Sequence, residues 1–65
     1  MDLNSIIVAD DHHLIIIGLT QLLAGICPDA TVKCVQDGPS LLNEIRLRQY
    51  DLVISDIDMP GSSGI

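Results

Sequence analysis

Apolar residues fall along this chain of 65 residues in short blocks, and the spacing inside each block differs. Residues 5–9, "SIIVA", are apolar at both alternating positions, which predicts a central strand covered on both faces. "DDHH" follows. A helix is then expected from about His13 to Ala24, with Ile15, Leu19, Leu22 and Leu23 at helical spacing as its core stripe. Gly25 fits a C-terminal cap, and Pro28 blocks continuation. Residues 31–35, "TVKCV", alternate polar with apolar and suit an edge strand. "QDGPS" reads as a turn into a second helix, with Pro39 near its first turn, where a missing N–H costs nothing. Leu41, Leu42 and Ile45 are expected to form that helix's buried stripe, and Glu44 and Arg48 make an i,i+4 pair. "DLVIS", ending at Ser55, predicts a third strand, again apolar on both faces.

The order β-α-β-α-β implies an α/β fold with parallel strands and right-handed crossovers. The amphipathic second strand belongs at an edge and the apolar first strand in the middle, so the expected spatial order is 2-1-3. The crossovers then leave in opposite directions, and the first and third strands flank a topological switch point. Ligand crevices in open α/β sheets lie there, beyond the carboxyl ends of the strands. The residues at those ends are Asp10, Asp11 and Asp56.

Length and composition narrow the picture. The chain can hold one domain at most, and as a lone monomer it is marginal. Nine acids against three bases give a net charge of −6, which argues against direct nucleic-acid binding. Cys27 and Cys34 are too few for a disulfide framework and lack a metal spacing, so they read as thiols in a reducing cytosol. The longest apolar stretch, "LIIIGLTQLLAGI", is shorter than the roughly 20 residues a membrane span requires. The early apolar run is too short for a signal peptide, so a cytoplasmic protein is expected.

Carboxylates crowded into one crevice persist when a hard cation neutralises them or one stays protonated. Mg²⁺ fits, because it takes oxygen ligands from one or two carboxylates, waters and phosphate. The N-terminus of the first helix faces the same place and favours an incoming phosphate. The combination makes phosphoryl transfer to an Asp plausible.

"IIVADDHHLIIIGLTQLL" and "DLVISDIDMPGSSGI" resemble the receiver domain of bacterial two-component response regulators. The acid pair after the first strand, the Asp ending the third, and the D-x-x-M-P-G-x-x-G run carry the likeness. "DDH" and "GLTQLL" look most like the subgroup with a LuxR-type helix-turn-helix output domain. The resemblance implies a flavodoxin-like (CheY-like) receiver fold, of which residues 1–65 form the N-terminal half with no output domain. It implies that Asp56 is the phosphoacceptor, charged by a sensor histidine kinase, in a signalling module rather than an enzyme. Asp11 and Asp56 would ligate Mg²⁺ through their side chains, Asp10 would assist through a water, and Asp58 would offer its backbone carbonyl. Met59, Pro60 and Gly61 would shape the following loop. DNA would be reached only through the output domain, and no membrane is involved.

The family's Ser or Thr after the fourth strand, Lys after the fifth and switch aromatic have no counterpart in these 65 residues. Weak Mg²⁺ binding and poor phosphate retention are therefore expected of this chain, and a truncated module serving only interaction stays open. So does, more remotely, a haloacid-dehalogenase-type phosphatase, whose D-x-D "ISDID" would match. The acid pair also has a plainer reading as a helix cap. His12 and His13 read as solvated loop residues rather than metal ligands. Ile16 and Ile17 are expected to face a surface that the rest of the receiver or a partner covers, and an unprotected third strand at the sheet edge predicts a homo-oligomer, most simply a dimer.

Overall fold

The computed structural model describes residues 3–56. The elements are β1 (Ser5–Ala9), α1 (His13–Ile26), β2 (Thr31–Val35), α2 (Gly38–Leu47) and β3 (Leu52–Ser55). The strands form one parallel sheet in the order β2-β1-β3, as the hydrophobic patterning predicts. In register, Ile7 lies between Lys33 and Val53, and Ala9 between Val35 and Ser55.

The strand period of two sorts the core into layers. Ile7 and Ala9 point to one face, where they meet Val35 and Leu41 of α2, with Tyr50 packed alongside. Ile6 and Val8 point to the other and meet Leu23 of α1 and Cys27, flanked by Leu19, Val32, Leu52 and Ile54. Ile6, Ile7 and Val8 have no exposed surface at all, which confirms β1 as the covered central strand. β3 departs from expectation. Leu52 and Ile54 join the α1 layer, but Val53, on the α2 side, remains 46% exposed.

α1 also departs in length and phase. It runs past Gly25 to Ile26, and the cap is Cys27, whose N–H bonds the Leu23 carbonyl at 2.7 Å. Cys27 is buried in the α1 layer, and Pro28 ends the helix because it has no N–H to continue the ladder. Leu19 and Leu23 turn inward as expected, but Ile15 and Leu22 are exposed at 48% and 58%. Ile16 and Thr20 are half-buried instead, Thr20 with its hydroxyl 3.8 Å from Cys34 Sγ of β2. Thr20 is tolerated there because its hydroxyl donates to the Ile16 carbonyl at 2.6 Å. Ile17 is exposed, as the sequence suggested.

α2 starts where Asp37 accepts a hydrogen bond from the Ser40 N–H at 2.7 Å, with Pro39 in the first turn. Leu41 is buried and Leu42 half-buried, whereas Ile45 is largely exposed, because α2 meets the sheet through its N-terminal half. The Glu44–Arg48 pair forms at 3.5 Å, and Glu44 also accepts from the Tyr50 hydroxyl at 2.6 Å.

Candidate functional site: an acid and imidazole cluster at the switch point

Two hydrogen bonds extend the parallel ladder one residue beyond the strands. The Asp10 N–H donates to the Val35 carbonyl at 3.0 Å, and the Asp56 N–H donates to the Ala9 carbonyl at 2.9 Å. Both acids are thereby held at the carboxyl ends of adjacent strands. At the opposite end, Asp51 sets the β1–β3 register. Its N–H donates to the Ser5 carbonyl, and its carboxylate accepts from the N–H groups of Asn4 (2.7 Å) and Ser5 (3.1 Å). Those bonds hold its carboxyl below the usual range, the Asn4 contact most of all.

Asp10 is buried, and one of its oxygens accepts from both the backbone N–H of His12 (2.9 Å) and His12 Nδ1 (2.7 Å). The first contact closes a side-chain turn over Asp11, a common habit of Asp. It is also the main reason the Asp10 carboxyl is held below its ordinary value, against the opposing effect of burial. The acid pair does not cap α1 through its side chains. The N-cap residue is His12, without a side-chain cap bond, and its carbonyl accepts from the Ile16 N–H.

The unexpected member is His12. Its Nδ1 lies 2.7 Å from Asp10, 3.1 Å from Asp11 and 3.5 Å from Asp56, inside the acid cluster. The reading of His12 as a solvated loop residue holds for its exposure, 63% of the side chain, but its ring also engages the carboxylates. The hydrogen bond to Asp10, then the charge of Asp11, raise its pKa above the ordinary imidazole value. His13 begins α1 and is exposed, as expected. One ligand-capable atom from each of Asp10, Asp11, His12 and Asp56 lies within 4.8 Å of the others. Carboxylate oxygens converging at that spacing suit a hard divalent cation, so the donor set fits Mg²⁺. Asp58, Met59, Pro60 and Gly61 lie outside the described residues.

A cavity of about 330 Å³, lined by Ser5, Thr31, Lys33, Arg48, Gln49 and Tyr50, sits at the other end of the strands. Lys33 is thus remote from the acids, in keeping with its place on the second strand.

The model of the response regulator receiver domain matches residues 6–65. The chain belongs to that family. As a receiver it is a signalling module rather than an enzyme, and its β2-β1-β3 sheet is the corresponding part of the CheY-like receiver fold. Two relatives called response regulator GacA, from Pseudomonas viridiflava and Pseudomonas syringae pv. syringae, are each 35% identical over 60 residues. That alignment covers 92% of this chain and 28% of each relative. Stress response regulator protein 1 of Scheffersomyces stipitis is 30% identical over 59 residues, covering 91% of this chain and 20% of that protein. The receiver chain thus spans between a fifth and under a third of the relatives it matches. No solved structure matches it significantly.

Proposed function

We propose that the chain, residues 1–65, is the N-terminal half of a receiver domain and that Asp56 accepts a phosphoryl group from a sensor histidine kinase. One observation carries the reading: Asp10, Asp11 and Asp56 converge at the switch point between β1 and β3. Asp10, Asp11 and Asp56, with the Asp58 backbone carbonyl, are the groups that would hold Mg²⁺. Bound there, the ion would neutralise charge on the phosphoryl oxygens. Accessibility separates the carboxylates. The Asp10 side chain is only 10% exposed and fixed by His12, whereas Asp11 at 36% and Asp56 at 22% are open, and of these two Asp56 stands at the end of β3. An Asp56 oxygen attacks phosphorus, a P–O bond forms as the donor's P–N bond breaks, and the donor imidazole takes up a proton.

The parent protein is read as a cytoplasmic transcriptional regulator of the LuxR-type subgroup, touching DNA only through an output domain outside this chain. No described helix is long and apolar enough to cross a membrane. The phosphatase alternative loses support, because it leaves Asp10 and Asp11 without a role and the fold brings both to Asp56. The interaction-module alternative draws on the exposed apolar residues of α1 and β3, and a homodimer through that surface is part of the proposal.

Exposure to acetyl phosphate and Mg²⁺, followed by mass spectrometry, tests the phosphoacceptor. The parent receiver that contains this chain should gain one phosphoryl group and its Asp56→Asn variant none, while the 65-residue chain alone should hold phosphate poorly. Equal labelling of both would overturn the assignment, and labelling of neither would favour the interaction module.

A further inference from the structure

We propose that the cavity under the C-terminal half of α2 binds, non-covalently, a small molecule carrying a phosphate or carboxylate group, with Lys33 and Arg48 as its charged contacts. The site lies where β1 and β2 begin, away from the acid cluster, and does not depend on the phosphoacceptor reading.

The cavity follows from how α2 seats on the sheet. Leu41 is buried against β1, whereas Ile45 and Leu47 are exposed, so the helix rests on the sheet by its N-terminal half. Register partners in a parallel sheet share a face, so Ser5, Thr31 and Lys33 lie on the same side as Ile7, under the other half of α2. Arg48, Gln49 and Tyr50, on the path from α2 to β3, close the space into a cavity of about 330 Å³. Small-molecule sites begin at about 300 Å³, so there is room for more than a bare oxyanion.

The lining inverts the charge of the chain. Of three bases against nine acids, two bases line this cavity and no Asp or Glu does. Glu44 lies 3.5 Å from Arg48 Nε and offsets part of that charge. Lys33 has no ion-pair partner among the described residues. The Tyr50 hydroxyl donates to Glu44 at 2.6 Å and the Ser5 hydroxyl to the Gln49 carbonyl at 3.1 Å, contacts that fix the walls. An ammonium and the Thr31 hydroxyl on the sheet side, with a guanidinium on the loop side, are donors suited to an oxyanion. Two cations on a chain of net charge −6 do not hold a polyanion, so the ligand is small.

Amide NMR of the full 65-residue chain, titrated with inorganic phosphate in the presence of EDTA, tests the site. Without a divalent ion the acid cluster repels the probe, so the two ends of the molecule report separately. Signals of Thr31, Lys33, Gln49 and Tyr50 should shift saturably, with a dissociation constant of about a millimolar, while those of Asp10, Asp11 and Asp56 stay. Lys33→Gln should weaken phosphate binding about fivefold or more. Arg46→Gln removes the third base, which lies on α2 outside the cavity, and should leave binding within about twofold. Equal losses in the two variants would reveal attraction to net charge alone and overturn the proposal. Shifts reproduced by sodium chloride at the same ionic strength, or no saturable shift at all, would overturn it too. Acetate separates the ligand classes: tighter binding of phosphate supports a phosphate-bearing molecule, and tighter binding of acetate a carboxylate-bearing one. If circular dichroism shows Lys33→Gln to be unfolded, Arg48→Gln takes its place under the same criteria.

Discussion

At the scale of single residues, the carboxylates divide into those that build the fold and those left for chemistry. Asp51 and Asp37 spend their oxygens on backbone N–H groups, Asp51 at the β1–β3 start and Asp37 at the α2 cap. Both are held below the ordinary carboxylate value, chiefly by Asn4 and Ser40 respectively. The sign follows by linkage. A depressed carboxyl stabilises the fold above the unfolded value near 3.8, and that contribution is lost as pH falls through the folded value. Urea midpoints of wild type and Asp51→Asn should therefore differ at pH 7 and draw together below pH 4. A gap that is unchanged in acid would contradict the assignment. Sequence patterning offered no sign of this role, because an Asp before a strand looks like any turn residue. The same holds for His12, whose type says nothing of which way the ring turns. Asp10, Asp11 and Asp56 were legible because their spacing relative to the strands is a matter of chain order.

At the scale of elements, burial grades the apolar residues that composition treats alike. Ile7 is fully covered in the centre of β1, between Lys33 and Val53, and beneath α2. Ile7→Ala should cost about 2–5 kcal/mol, or prevent folding of so small a chain. Ile17, half exposed on α1, should cost under about 1 kcal/mol when changed to Ala. Chemical denaturation compares the two directly, and similar losses would mean that α1 is rotated from the phase described here. That phase was not readable in advance. α1 is apolar at nearly every position from Leu14 to Ile26, so several stripes satisfy the helical period equally well. The choice of Leu19 and Leu23 was made by packing against Ile6 and Val8.

At the scale of the molecule, the unfinished surfaces lie together. Thr20 approaches Cys34 of β2 at 3.8 Å, so that flank of α1 faces the β2 side of the sheet. Helical phase then puts Ile15, Leu22 and Ile26 on the opposite flank, toward β3, whose outer edge has no strand partner among the described residues. An edge free of Lys and Pro beside an apolar flank invites pairing with a second copy. Sedimentation at micromolar concentration should show a dimer. Val53→Lys, which places a charge on the edge strand, should shift it to monomer without loss of helical signal. A cooperatively melting wild-type monomer would refute the dimer.

The sequence by itself determined the element order, the parallel 2-1-3 sheet and the convergence of the acids. Each follows from short-range apolar periodicity and the handedness of crossovers, which depend on no side-chain orientation. Tertiary structure alone decided which stripe of α1 is buried, why that helix outruns Gly25 to end at Cys27, and that β3 leaves Val53 half open. It also decided that His12 turns into the acid cluster. These outcomes rest on contacts between residues distant in the chain, or on a rotamer chosen by the local field of Asp10, Asp11 and Asp56. Periodicity carries no information about either.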